Sequence, residues 1–497
     1  MTMLFMKKKY QLERFFVTWL MILFMILTDA FTAFAQVKQA TFLVNGISCD
    51  LEQGILKVEF VTPDVVRVQY TGENTFIGNG TDVCLPRAVD NPVRWVYTPN
   101  PDCYLLKSDS LIVRVDLSTA SITYLDKEGG LLLQEDQNIP RISEKRVTKQ
   151  VIYDEHSKHI EKTADGDKEI KNVLRYDTIG HTWKYRINFK WQPLEALYGW
   201  GAHMEDYMNL RGKELYLCQH NLKAMVPVLN STAGYGLLFD AGCAMMFKDN
   251  SEGSFVELEA AKQIDYYFMK GKTMDAVVAN YRLLTGNSPM MPLYLFGYIQ
   301  SKERYVSSDD LINTLKEYRQ RQIPIDMIVQ DWNYWPEGQW GNMSMNPKFY
   351  PDKRKLADEI HSLHAKLMIS IWPNAMNCPQ HEEFKRKGWL LSGTSVYDAF
   401  NPLARKLYWN YANNEFFGNG FDAWWCDASE PLDADWTFMK DGYGADNHRQ
   451  RWELNTNLLN SVLGAERSQL YSLYHAKGIY ENQRSTNEDK RVVNLTR

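Results

Sequence analysis

Cysteine is scarce in this chain. Seven residues (Cys49, Cys84, Cys103, Cys218, Cys243, Cys378 and Cys426) are scattered over 497 positions. Their odd number and irregular spacing exclude a disulfide framework. No pair has metal-site spacing, so no metal or other cofactor is expected, and most of the thiols read as small buried apolar groups. An excess of one charge is also missing. Lys and Arg total 56 against 61 Asp and Glu, a net charge of -5, and no basic stripe occurs beyond the leader. Nucleic acid is therefore not an expected partner. Long apolar runs are lacking too. Phe15 to Leu27 is too short for a comfortable membrane span. Lys7, Lys8, Lys9 and Arg14 lie before or at its start, and Asp29 and then Ala33-Phe34-Ala35 follow it. That is the pattern of a secretory signal over residues 1–35, so the expectation is export to the periplasm or beyond, with no stable membrane insertion after cleavage.

What the chain does have is length for two or three domains and aromatic side chains at 13%, including 28 Tyr and 15 Trp. From Val37 to about Leu284 the pattern is strand-like. Leu56, Val58 and Phe60 alternate, as do Val66, Val68 and Tyr70 after a Pro63-Asp64 turn, which predicts a hairpin with one buried face. Leu111, Val113 and Val115 repeat the theme, and many such short strands predict a β-sandwich over residues 36–288. The charged stretch Ser143 to Asn172 has no periodicity and reads as an exposed loop or small insertion.

After Pro289 and Pro292 strands and helices alternate, which predicts a parallel sheet. Strands are expected at Phe296–Ile299, Ile325–Val329, Leu367–Ile371, Phe421–Cys426 and Val492–Thr496. Helices are expected from a Ser308 cap to Arg321, from Asp352 to Ala365, and from Ala404 to a stop at Gly418. The fourth strand runs into Gly-Phe-Asp-Ala-Trp-Trp-Cys-Asp-Ala-Ser-Glu-Pro, residues 420 to 431. A carboxylate at the carboxyl end of a buried strand, among indoles, is where parallel α/β folds place reactive groups. Indole faces cover the apolar faces of a sugar ring while carboxylates bind its hydroxyls or attack its anomeric carbon. The plain alternative is a capping Asp beside core tryptophans.

These residues resemble the nucleophile motif of glycoside hydrolase family 31, the retaining α-glycosidases. Leu197 to Ala202, Pro227 to Asp240, Gly297 to Tyr305 and Ile323 to Trp335 are similar, in order, to further segments of that family. The resemblance implies a multidomain chain: an N-terminal β-sandwich, then the first four to five strands of a (β/α)8 TIM barrel over 289–497. It implies Asp427 as nucleophile, with Glu430 supporting it, and Asp331 as a sugar-binding carboxylate. Trp332, Trp372 and Trp425 would wall the subsite, and Arg497 would contact substrate. Trp424 lies where family members differ and is a candidate for sugar selectivity. Pro227 to Asp240 would lie across the active site. The family's general acid/base falls beyond Arg497, so a barrel that stops at a fifth strand is expected to fold and turn over poorly. His361, His364 and Glu359 sit on an expected outer helix and are set aside as metal ligands. Asp433 and Asp435 read as solvated loop charges. The Trp-Trp-x-Asp-x-x-Glu-Pro form resembles the α-xylosidase branch, which implies an oligosaccharide substrate with terminal α-xylose. The alternatives are an α-glucosidase or α-glucosyltransferase, or a non-catalytic carbohydrate-binding remnant.

Overall fold

The computed structural model describes residues 36–77, 82–85, 92–163, 166–220, 223–432 and 448–496. The expected signal segment, Asp433, Asp435 and Arg497 lie outside the described residues. No helix among the described residues is long and apolar enough to cross a membrane.

Two antiparallel sheets build the amino-terminal part. One has eight strands, ordered Val37–Phe42, Gly46–Leu51, Ile55–Thr62, Val65–Thr71, Ile264–Lys270, Tyr235–Phe239, Ala224–Ser231 and Leu197–Ala202; the other has ten. Their inward residues share one core, in which Leu56, Val58 and Phe60 meet Val113, Val115 and Tyr124. Tyr124 stacks on Phe268 across the gap at 4.0 Å between ring centroids, and its hydroxyl meets that of Tyr266 at 2.9 Å. Burying aromatic faces while pairing their hydroxyls avoids the cost of stranded polar groups.

Two expectations need correction here. The hairpin around Pro63-Asp64 is present, but strand Val65–Thr71 is buried along its whole length. Its second face is covered by helix α1 (Met274–Thr285), through Val65, Tyr267, Met269, Val277 and Leu284. Arg67 and Gln69 survive there because both donate to Asp265, Arg67 through Nε at 2.9 Å and Gln69 through Nε2 at 2.9 Å. The charged stretch after Arg141 is likewise not a loop. Arg141–Tyr153 pairs with Val173–Lys190 in a long ribbon, and a second hairpin, His159–Thr163 with Gly166–Ile170, follows. At its base the ribbon joins the core through Trp183, Tyr185 and Ile187; farther out, around Val147–Gln150, it is mostly exposed and the ladder alone satisfies its backbone.

The carboxyl-terminal part is a five-stranded parallel sheet: β1 (Ile299–Gln300), β2 (Met327–Gln330), β3 (Lys366–Ile371), β4 (Ala423–Cys426) and β5 (Asn494–Thr496). Between them run α2 (Ser308–Gln320), α3 (Lys353–Ser362), α4 (Pro379–Arg386), α5 (Pro402–Glu415), α6 (His448–Leu463) and α7 (Tyr471–Thr486). Ser307 caps α2, its side chain accepting from Asp310 N at 3.2 Å; the cap lies one residue before the Ser308 expected from sequence. Asp352 caps α3 by accepting from Lys355 N at 2.9 Å. Phe296 closes a 3-10 turn (Leu293–Phe296) and is not in β1, which shrinks to two residues. Gly297 is pressed so closely on Asp326 that a Cβ there would clash with the carboxylate.

Strand alternation sorts the parallel sheet into two faces. Ile328, Leu367, Ile369, Ile371, Trp424 and Cys426 pack under the helices. Met327, Val329, Met368, Ala423 and Trp425 pack together on the opposite face.

Candidate functional site

The site lies where β2, β3 and β4 end, on the face away from the helices. Gln330 pairs with Ile369 and Ile371 with Cys426. One further step brings Asp331 level with Ser370, and Trp372 level with Asp427. The backbone agrees, since Asp427 N donates to Ile371 O at 3.1 Å. Asp331, Ser370, Trp425 and Asp427 thus continue the same alternation as Met327, Met368 and Ala423.

Both carboxylates are held by the same local device. Asp331 Oδ1 accepts from Trp332 N at 2.8 Å, and Asp427 Oδ1 accepts from Ala428 N at 2.9 Å. The chain then turns through left-handed backbone, at Asn333 (φ 59°) and at Ala428 (φ 51°). Such a conformation costs an alanine roughly 1–3 kcal/mol, a strain that accumulates where geometry matters more than stability. Ser429 secures the second turn by donating to Cys426 O at 3.0 Å. Glu430 is buried at its end, 3% exposed.

Burial raises the pKa of Asp331 to about 6, and the nearby charges of Asp427 and Glu303 push the same way. Bonds from Trp332 N–H and the Ser370 side chain pull it down. The Asp427 charge therefore reaches a partly desolvated Asp331 carboxyl on the same face of the sheet.

Trp372 is buried and packs with the helix-side core, its indole N–H donating to Ser370 Oγ at 3.1 Å. Trp425 is partly exposed on the same face as Asp427. Trp332 is half-buried, tilted on Trp340 at 5.6 Å, with the Arg304 guanidinium 5.4 Å over its ring. Trp340 also touches Trp335 at 5.5 Å and Trp372 at 5.3 Å, so it joins the indoles into one array.

The candidate role of Trp424 in sugar selectivity is overturned. Trp424 is 1% exposed and packs on Trp409 and Phe416 beneath the helices, its indole N–H donating to Gln483 Oε1 at 2.7 Å. Adjacent strand residues face opposite ways, so Trp424 and Trp425 cannot both line the site. Trp335, 4% exposed against Tyr334 and Trp340, is likewise a packing residue.

The segment Pro227 to Asp240 does not lie at the strand tips. It forms the hairpin Ala224–Ser231 with Tyr235–Phe239, whose turn meets Gly271 and so lies beside α1. The other end of the first strand approaches the α/β part, where Lys223 lies 5.0 Å over the Trp452 ring and Gln219 N donates to Gln469. Leu197–Ala202 pairs with that same strand. Gly201 is required there, because a Cβ would come within 2.1 Å of Ala224 O.

His361, far from the tips, bonds Asp422 Oδ2 at 2.7 Å just before β4 begins. Among the described residues, no group of three or more His, Cys, Asp or Glu is placed to hold a metal. Sequence reasoning missed Ser370, Trp340, Arg304 and Glu303. Only Ser370 had a readable signal: it is two residues before Trp372, hence on the same face of an otherwise apolar strand.

Residues 55–247 match the model of the glycosyl hydrolase 31 N-terminal galactose mutarotase-like domain, and residues 288–497 that of the glycosyl hydrolases family 31 TIM-barrel domain. An α-xylosidase of Saccharolobus solfataricus is 29% identical over 452 residues, covering 89% of this chain. The chain spans 55% of that relative's length. Among solved structures, a family 31 α-xylosidase from a soil metagenome, complexed with xylose, aligns with a TM-score of 0.73 at 22% identity over 93% of this chain and 65% of its own. A family 31 dextranase of Flavobacterium johnsoniae, complexed with isomaltotriose, aligns with a TM-score of 0.74 at 19% identity over 94% of this chain and 55% of its own. At these identities the structural likeness speaks for the fold.

Proposed function

The chain belongs to glycoside hydrolase family 31, and from that membership we propose an exported protein with retaining α-glycosidase chemistry at the tips of β2 to β4, directed at terminal α-xylose of oligosaccharides. The observation that carries it is that Asp331 and Asp427 end β2 and β4 on one face of the sheet, with Trp425 on that face and the Asp427 charge reaching Asp331. Asp427 attacks the anomeric carbon and forms the glycosyl ester as the leaving oxygen departs. Asp331 binds ring hydroxyls in the innermost subsite, where such bonds strengthen as oxocarbenium character develops. Trp372 and Trp425 cover the sugar's apolar faces, Trp332 extends the wall, and buried Glu430 supports the turn that carries the nucleophile. The α-xylosidase of Saccharolobus solfataricus among the relatives supports xylose over glucose. Export rests on the leader pattern of residues 1–35.

The test uses 5-fluoro-α-xylosyl fluoride. Fluoride leaves without needing a proton, and the ring fluorine slows the second step, so the ester accumulates. Mass spectrometry of the intact protein should show one added fluoropentosyl group, mapped to Asp427 by peptide digestion and lost in Asp427→Asn. An adduct elsewhere, or one that survives the substitution, refutes the nucleophile. Faster labelling by the glucosyl analogue would move the substrate to α-glucosides.

A further inference from the structure

Leu367 to Ile371 is an apolar strand interrupted by one hydroxyl, Ser370, which is fully buried. A buried hydroxyl is unfavourable unless bonded, and this one meets the Trp372 indole. An indole N–H can only donate, so the 3.1 Å contact from Trp372 Nε1 makes Ser370 Oγ the acceptor there. The single Ser370 proton is then free, and the carboxylate it faces is Asp331, level with it on the neighbouring strand and on the same side of the sheet. Its backbone is anchored as well, its carbonyl accepting from the Tyr334 hydroxyl at 3.0 Å.

We propose that Ser370 is a positioning residue, whose hydroxyl aims Asp331 at the sugar hydroxyls and locks the Trp372 wall to it, so that wall and carboxylate move as one unit. The inference rests on the sugar-binding reading above and adds a residue to it. The groups that face Asp331 are Asp427 at the end of β4 and Glu303 after β1, which favour its neutral form, with Trp332 N–H and Ser370 favouring its charged form. Arg304 lies over the adjacent Trp332 ring.

The experiment uses the full chain with carbon-13 in its Asp carboxyl groups, the Asp331 signal being identified by its loss in Asp331→Asn. Wild type should titrate near pH 6. Ser370→Ala removes a bond to the charged form, so the midpoint should rise by about one pH unit. Xylose affinity, read by quenching of tryptophan fluorescence, should fall roughly tenfold. Ser370→Thr keeps the hydroxyl and should restore both readouts. If Ser370→Ala does not fold, Ser370→Cys, of similar size and a weaker donor, makes the same comparison. A midpoint unchanged in the Ala or Cys variant, with xylose still bound by wild type, overturns the proposal. If wild type binds neither xylose nor glucose while the midpoint still moves, the tie between Ser370 and Asp331 stands. The sugar-binding reading and the purpose assigned to Ser370 then fall together.

Discussion

Trp424 and Trp425 are neighbours in sequence, and replacing each by alanine should damage different properties. Trp424 is 1% exposed, packs against Trp409 at 5.6 Å and Phe416 at 6.5 Å, and bonds Gln483. Trp424→Ala leaves a cavity between β4 and the helices and strands the Gln483 carbonyl. Large aromatic truncations in cores cost about 3–5 kcal/mol. For a unit of roughly 200 residues that lowers the melting temperature by roughly 10 °C. Trp425 is partly exposed and rests on Met327, Val329, Met368 and Ala423. Its truncation removes contact on one side only, and about 1–2 kcal/mol is expected. Calorimetry of the two variants, with xylose binding followed by titration, separates the effects. Trp424→Ala should melt early but bind xylose with near wild-type affinity below its transition, whereas Trp425→Ala should melt close to wild type and bind roughly tenfold more weakly. Equal destabilisation by both, or a binding loss confined to Trp424→Ala, would refute the assignment of faces.

In Asp427→Asn the Asp331 midpoint should fall from about 6 towards the usual carboxylate value, while staying above it because burial remains the larger cause; carboxyl-carbon titration checks this, and no movement would mean that the two groups do not share a pocket. Because the folded state holds the Asp331 proton more tightly than the unfolded chain, the contribution of Asp331 to stability should decline as pH rises from about 4 to about 6. The denaturant midpoint of wild type should fall relative to that of Asp331→Asn as pH rises across that window, and a constant difference would refute the shift. Asp422→Ala should destabilise by about 3 kcal/mol, since it strips the buried acceptor from Leu367 N (3.0 Å) and His361 (2.7 Å) and leaves half-buried Lys490 without its carboxylate at 3.6 Å. Equilibrium unfolding measures it, and a change within about 0.5 kcal/mol would show that Lys366 and Lys490 find other partners.

Much of the site was legible before the fold. A strand of Trp-Trp-Cys ending in Asp427 announces a carboxylate at a strand tip, and Asp331 after Ile-Val-Gln does the same, because strand period and turn chemistry are local properties. The β-rich first part and the strand–helix alternation of the second were legible for the same reason. What failed were judgements that depend on which face a strand shows or what covers it. Trp424 looked as available as Trp425 until the helices were seen to lie on its side. Val65–Thr71 looked half-buried until α1 was seen to cover its second face, and Ser143 to Asn172 read as a loop or small insertion because its mostly exposed strands carry no apolar period.

Sequence alone determined the elements that local patterning encodes: alternating strands, capped helices, the aromatic-acid strand ends and the family likeness they carry. Tertiary structure alone decided that residues 40 to 100 positions apart act together. Asp331 feels Asp427 because parallel register sets their strand ends on one face of the sheet, and Ser370 became visible only as the hydroxyl level with Asp331 that accepts from Trp372. The physical reason is that desolvation and hydrogen bonding depend on neighbours in space. Those neighbours are chosen by how the sheet's two faces are covered, which no single segment of chain encodes.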